Sequence, residues 1–250
     1  MLPPHDLYAE PFAGGLSVLL SKRISEREHI ADINADLINF WRVIQRSASR
    51  RRLIAQVEMT PYSRAVYGDC IAMLNDGGGD AVRRAWAFLT TCNQGRNGLG
   101  AFASRWSHGK SGSNQHADSW ANLPAKLEQA GRRMQGVRIE CVPYDKMLEI
   151  DSPQAVILLD PPYSPETRLK PKVYEHEFTD DDHRCLLHIV RKLKSRVILC
   201  GYRNRLYDEQ LCDGWQRRDF KGRSYTGLRT NGHSLRRTLS VWTNYEPPSK

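Results

Sequence analysis

The chain of 250 residues lacks several signatures that would fix a function class at once. No stretch approaches the ~18 uninterrupted apolar residues that a membrane-spanning helix needs. The six cysteines, Cys70, Cys92, Cys141, Cys185, Cys200 and Cys212, form no C-x-x-C pair, so neither a zinc ribbon nor a disulfide framework is indicated. They read as buried, reduced thiols. No G-x-x-x-x-G-K-[ST] occurs, which disfavours a nucleoside triphosphate as ligand. Internal repeats and low-complexity tracts are missing too. The opening Met1-Leu2-Pro3-Pro4-His5-Asp6 has neither the basic nor the apolar region of a secretory signal, so a cytoplasmic protein is expected. Acids are the scarcer charge: 28 Asp and Glu face 37 Lys and Arg, a formal +9 that suits a polyanionic partner without saying which one.

What is present begins with the apolar run Ala155-Val156-Ile157-Leu158-Leu159, followed directly by Asp160-Pro161-Pro162-Tyr163. Such a run reads as a buried parallel strand, and its end hands a carboxylate and an aromatic ring to the carboxyl edge of the sheet, where open α/β sheets bind ligands. Each proline fixes its own φ and restricts the residue before it, so the loop is stiff. The plain alternative is a strand-ending turn, which Asp and Pro also favour.

The rest of the chain falls into a βαβ rhythm with one interruption. Leu7 to Pro11 reads as a first strand, followed by a glycine turn at Gly14-Gly15 and a helix carrying Leu16, Leu19 and Leu20. His29-Ile30-Ala31 reads as a second strand ending in Asp32. Leu37, Ile38, Trp41 and Ile44 recur at helical spacing over 34–45. From Arg50 to Arg138 the rhythm breaks. Helices near Ala65–Leu74 and Ala81–Thr91 flank Gly77-Gly78-Gly79, and a polar loop is expected over 93–119. Strands at 137–141, 155–159 and 196–200 and a helix near 180–193 restore the order. Thr230-Asn231-Gly232 then signals a hairpin. The expected organisation is an α/β core over 1–45 and 136–250 with a helical insertion over 46–135.

Glu10-Pro11-Phe12-Ala13-Gly14-Gly15 joins a strand to a helix start, where glycines let the backbone approach a ligand closely. Asp32 follows Gly14 at the end of the next strand, the place from which a carboxylate accepts hydrogen bonds from ribose hydroxyls. Together they point to an adenosine-bearing cofactor. The competing reading makes Asp32 the N-cap of the following helix.

These motifs resemble those of the Dam-like DNA adenine methyltransferase family, above all its phage and prophage members. Tyr8 to Gly15 is similar to the first cofactor motif, Ala31-Asp32-Ile33-Asn34-Ala35-Asp36-Leu37 to the second, and Asp160 to Tyr163 to the catalytic motif. Tyr174 to His183, Leu199 to Tyr202 and Val241 to Tyr245 are similar to later segments. Ile139 to Tyr144 stands where the third cofactor motif belongs, with Pro143 in the usual acidic slot. The resemblance covers most of 7–245 and is weakest over 45–135, where the family carries its target-recognition insertion.

The resemblance implies a Rossmann-like core and S-adenosyl-L-methionine as cofactor, held by Glu10, Pro11, Phe12, Gly14, Gly15, Asp32, Ile33, Tyr144 and Asp160. Tyr144 would stack on the cofactor adenine. Catalysis would fall to Asp160, Pro161, Pro162 and Tyr163, with double-stranded DNA as partner and adenine's exocyclic amine as acceptor. Two other readings stay open: a catalytically impaired DNA-binding relative, and an RNA adenine or guanine methyltransferase. The family also carries a Gly-Gly-Lys segment upstream of the first strand. Only Met1 to Asp6 precede that strand here, and reduced activity is expected on that account.

Two further clusters need weighing. Glu177, Asp180, Asp181, Asp182, His183, Cys185 and His188 could tempt a metal reading, but acids after Thr179 are what a helix start prefers, and Thr179-x-x-Asp182 approximates a capping box. No metal is expected. Between Arg217 and Arg237, seven basic residues (Arg217, Arg218, Lys221, Arg223, Arg229, Arg236 and Arg237) face one acid, Asp219, which favours phosphate contacts. Arg96, Asn97, Arg105 and Lys110 in the insertion are side-chain types that read base edges, although a basic loop is also often plain solvated surface.

Overall fold

A computed structural model of the chain describes residues 2–95, 106–107, 115–164, 176–223, 229–230, 233–234 and 236–247. Among these, a sheet of seven strands runs in the order β3-β2-β1-β4-β5-β9-β6. Its members are β1 (Leu7–Glu10), β2 (Arg27–Ala31), β3 (Arg138–Glu140), β4 (Ala155–Leu159), β5 (Arg196–Tyr202), β6 (Gln216–Arg223) and β9 (Arg236–Thr243). A separate two-stranded ribbon pairs β7 (Arg229–Thr230) with β8 (His233–Ser234). β2, β1, β4 and β5 are parallel neighbours, while β9 runs antiparallel to both β5 and β6. The mixed α/β architecture and strand order are those of a Rossmann-like fold.

Contacts divide the chain into two compact units, 1–33 with 140–250 and 34–139. In the first, β4 is buried at all five positions, as its unbroken apolar sequence requires of a central parallel strand. Ala9, Ile157, Leu159, Val197, Leu199 and Trp242 of the sheet pack with Leu186, Leu187 and Val190 of one helix (Asp180–Val190) and Tyr207 of another (Arg205–Gln210). The first of these helices opens with the anticipated capping box: Thr179 N–H and hydroxyl meet the Asp182 carboxylate, and Asp182 N–H returns to the hydroxyl at 3.2 Å. The acids of that segment therefore have a helix-starting role. Among the described residues no group of three His, Cys, Asp or Glu is placed to hold a metal ion, and no helix is long and apolar enough to cross a membrane.

The second unit is helical: α2 (Ala35–Gln45), α3 (Ser47–Glu58), α4 (Arg64–Asn75), α5 (Ala81–Gln94), α6 (Gln115–Ala121) and α7 (Leu123–Arg133), with α1 (Ser17–Ser21) belonging to the first. The α2 periodicity is as expected, with Ile38, Trp41 and Ile44 buried, and Phe40 and Val43 buried beside them. Its N-cap is Asn34, whose side chain accepts from Leu37 N–H at 2.9 Å, so the cap reading of Asp32 falls. The loop expected over 93–119 also needs correction: α5 runs on to Gln94, and 115–121 is helical. Buried thiols were expected throughout, yet Cys141, Cys185 and Cys212 are exposed and only Cys70 is fully buried. Scattered single cysteines carry no pattern from which burial can be read.

Arg50 is the polar anchor of this unit. Its buried guanidinium donates to Glu128 at 2.9 Å and to the Ile44 carbonyl at 2.8 Å. Gly131 of α7 makes room for it, since a Cβ there would sit 2.3 Å from Arg50 Cδ and 2.5 Å from the Ile44 carbonyl oxygen. Alanine is favoured over glycine in a helix by ~1 kcal/mol. The overlap with backbone should outweigh that gain. Gly131→Ala is therefore expected to lose about 1–3 kcal/mol of stability in urea denaturation.

Candidate active site

The chain reverses its direction of growth across the sheet between β1 and β4. It runs outward through β2 and β3, then crosses back to β4 on the other side of β1. Ligands of doubly wound sheets bind at that switch point, outside the carboxyl ends of the strands. Leu7, Tyr8 and Ala9 lie opposite Ala155, Val156 and Ile157, which sets the segments following Glu10 and Leu159 side by side.

The β1 turn is held from beneath. Glu10 is buried, and one carboxylate oxygen accepts from the Tyr8 hydroxyl at 2.8 Å and from Leu19 N–H of α1 at 2.9 Å. Ala13 N–H donates to the Ala31 carbonyl at 3.0 Å. Gly14 has a positive φ of 44°, a conformation glycine adopts without penalty. Leu16 also has a positive φ, 51°, which costs a non-glycine residue energy. Its fully buried side chain offsets that cost. Nothing lies within 4 Å of where a Cβ on Gly14 or Gly15 would stand, so the outer surface of the turn is open.

Asp32 at the end of β2 faces this turn, with Gly14 N–H 3.4 Å from its Oδ2. Ile33 beside it is an exposed large apolar side chain. Tyr144, opening α8 (Tyr144–Met147) on its helix start, stacks on Phe12 with ring centroids 5.3 Å apart and planes at 24°. Phe178 closes edge-on against both rings.

Beyond β4, Pro161 is buried and Tyr163 half-buried. Solvent reaches Asp160, yet protein crowds its carboxyl enough that burial raises its pKa, opposed by a hydrogen bond from Tyr163. Tyr163 meets Tyr202 of β5 edge-on at 4.6 Å. Ser164 hydroxyl donates to Asp180 at 3.0 Å, tying the end of the loop to the helix start. All twelve cofactor and catalytic candidates, Glu10, Pro11, Phe12, Gly14, Gly15, Asp32, Ile33, Tyr144, Asp160, Pro161, Pro162 and Tyr163, thus belong to the first unit and lie at or after the carboxyl ends of neighbouring strands.

Of the DNA candidates, Arg96, Asn97, Arg105 and Lys110 lie outside the described residues. Arg223, Arg229, Arg236 and Arg237 are placed in β6, β7 and β9 by their backbone alone. Arg217 is already engaged, bonded to Asp208 at 2.7 Å and near Asp219 at 3.3 Å. Residues that local reasoning did not assign to the site also matter here: Tyr8, Leu19, Phe178, Cys200 and Tyr202. Strand register places Tyr8, Cys200 and Tyr202, while Leu19 comes from α1 and Phe178 from the segment before the Asp180–Val190 helix.

Two acids converge at this edge. Burial chiefly lifts Glu10 to about 7, the nearby Asp160 charge adds to the rise, and the Tyr8 and Leu19 hydrogen bonds with Lys22 work against it. Glu10 therefore keeps its proton in the folded chain to about pH 7, whereas an ordinary Glu releases it near 4.5. Across that window the folded state binds more protons, so this group's contribution to stability falls as pH rises and is level above pH 7. Gln stays neutral and can accept both bonds. Glu10→Gln should therefore be more stable than wild type at pH 8 by ~3 kcal/mol, with the gap shrinking towards pH 5, as urea denaturation at the two pH values would read.

Comparison with known proteins agrees with this geometry. A DNA adenine methylase of Vibrio cholerae serotype O1 is 31% identical over 198 residues, covering 76% of this chain and 69% of its own length. A DNA adenine methylase of Escherichia coli K12 is 28% identical over 222 residues, 87% of this chain and 77% of its own. Residues 1–218, which include both strand-end motifs at the switch point, match the D12 class of N6 adenine-specific DNA methyltransferases, and the chain belongs to that family.

Proposed function

We propose that this enzyme takes its methyl group from S-adenosyl-L-methionine, held at the β1–β2 edge, and delivers it to an adenine flipped out of double-stranded DNA beside Asp160. The observation that carries the reading is the pairing of β1 with β4 at the switch point, which sets an open glycine turn next to a stiff loop bearing a carboxylate and an aromatic ring. The residues fit such a cofactor. Asp32 offers a carboxylate to ribose hydroxyls, Ile33 an apolar surface to adenine, and Phe12 and Tyr144 aromatic faces. Gly14 and Gly15 leave room above the backbone.

When bound, the cofactor supplies an electrophilic methyl on a positively charged sulfur. The protein's task is the other partner. The lone pair of adenine's exocyclic amine is delocalised into the ring, so that nitrogen is a poor nucleophile. In this reading the Asp160 carboxylate and the Pro161 carbonyl accept the amine hydrogens, turning the lone pair outward. Tyr163 stacks on the flipped base, and the two prolines keep both acceptors in place. Burial raises the basicity of Asp160, which strengthens it as an acceptor. Positioning and preorganised electrostatics supply most of the acceleration.

The insertion over 46–135 would carry target recognition, with Arg96, Asn97, Arg105 and Lys110 reading base edges. Arg223, Arg229, Arg236 and Arg237 would contact phosphates. A purely DNA-binding role and an RNA substrate are each tested by the same assay with labelled cofactor and separate duplex DNA and RNA.

Asp160→Ala should abolish methyl transfer while duplex affinity changes little; turnover within tenfold of wild type would sink the catalytic assignment. Asp32→Ala should weaken cofactor binding by about 1.5–3 kcal/mol in calorimetry, the worth of charge-assisted hydrogen bonds. Arg229→Ala and Arg236→Ala should weaken all duplexes alike and lower the salt slope by about one unit for each phosphate left without its cation, whereas Arg96→Ala should change the preferred sequence.

A further inference from the structure

Directly opposed residues of antiparallel neighbours project from the same face of a sheet. Tyr202 of β5 lies opposite Leu239 of β9, and Leu239 lies opposite Phe220 of β6. The three form one lateral row. The row one step along, Cys200, Val241 and Arg218, shares that face. Cys200 also lies near Asp160 and Glu10: burial raises its pKa, and their charges raise it further. The Tyr202 row begins at the catalytic loop, because the Tyr163 and Tyr202 rings meet at 4.6 Å.

Exposure grows along the row. Tyr202 and Leu239 are half-buried, and Phe220, on the edge strand, is 44% exposed. Few large apolar side chains are this exposed among the described residues; in this unit the others, Ile24 and Ile33, flank β2, several strands away from β6. Arg218 stands two residues from Phe220 on the same face, whereas Lys221, next in sequence, projects from the opposite one; both are exposed. Neither has an ion pair among the described residues, in contrast to Arg217. An apolar row with a cation beside it matches a nucleic-acid strand, whose bases offer flat apolar faces and whose backbone offers phosphates. A purely phosphate-binding surface would have no use for an exposed phenyl ring.

We propose that Tyr202, Leu239 and Phe220 form a docking strip for the DNA strand that carries the target adenine, with Phe220 contacting a base near the target and Arg218 a phosphate beside it. The proposal rests on the reading that adenine is flipped out next to Tyr163. Strands in a sheet are ~4.8 Å apart, so Phe220 lies ~10 Å from Tyr202 across the sheet. That is about three base steps at ~3.4 Å each. Phe220 is thus a determinant of affinity and of context beside the target, outside the catalytic machinery.

The test uses the full chain and duplexes bearing one target site. Phe220→Ala should weaken duplex binding by roughly five- to tenfold, the lower end of the loss on removing a base-stacking ring, with cofactor affinity unchanged. The salt slope should also stay unchanged, because every phosphate keeps its cation. Phe220→Trp should restore affinity, and Arg218→Ala should lower the slope by about one. Photolysis of duplexes carrying 5-iododeoxyuridine within three nucleotides of the target should crosslink to Phe220, as peptide mass spectrometry would show. Duplex affinity of Phe220→Ala within twofold of wild type, or crosslinks that avoid β6, would overturn the strip. So would a self-association of the DNA-free protein that Phe220→Ala abolishes, since the row would then join two copies of the chain. Methyl incorporation by wild type is scored separately. If wild type neither binds nor methylates duplex DNA, the underlying reading fails. If it does both and the variants are unchanged, only the strip fails.

Discussion

The pairing of β1 with β4 is the constraint on which the site depends. Ala9 opposite Ile157 is a contact between two fully buried residues in the middle of the sheet. A slip of one residue would turn every side chain of β4 to the other face. Asp160 would then leave the neighbourhood of Glu10, and the glycine turn would lose the stiff loop beside it. Packing on both faces of β4 prevents that slip, because all five of its residues are buried. A register enforced by the core thus sets the geometry at the edge.

The same edge holds groups that would separate if the rest of the protein allowed it. Burial raises the proton affinity of both Glu10 and Asp160, and the nearby Asp160 charge raises that of Glu10 further. Glu10 is tolerated because Tyr8 and Leu19 donate to it and Lys22 stands nearby. Lys22 is held in turn by Glu28 and lies over the Tyr8 ring, its ammonium 4.4 Å from the ring centroid. Leu16, in a left-handed conformation, is a second such cost. Buried acids and backbone strain gather where the chain must present an open turn, a pattern typical of functional sites.

Aromatic side chains link the sheet edge at Phe12 to the core. Phe12 and Tyr144 touch Phe178, Phe178 meets His183, His183 hydrogen-bonds Tyr207 at 2.9 Å, and Tyr207 packs against Trp242 of β9. The capping box fixes the helix that carries His183, so local order at Thr179 positions a ring far along the chain from Phe12. Tyr163, in the loop after β4, makes a second aromatic contact with Tyr202 of β5.

Local sequence determined what each segment could become. An unbroken apolar run can only be a buried strand or helix segment, and Ala155–Leu159 is too short and too abruptly ended by Asp160-Pro161 to be the latter. Helical spacing revealed α2, and Thr179-x-x-Asp182 the capping box of the Asp180–Val190 helix, because both depend on neighbours within one turn. The motifs at Glu10–Gly15, Asp32 and Asp160–Tyr163 were legible for the same reason. Tertiary structure decided the rest. Asn34 rather than Asp32 caps α2 because the strand ends one residue before Asp32, leaving the carboxylate at the glycine turn. The continuation of α5 to Gln94 and the helix at 115–121 carry weak local patterns that packing overrode. The row from Tyr202 to Phe220 joins residues from three strands, and its face depends on the register of β5, β9 and β6, which hydrogen bonds between distant segments set.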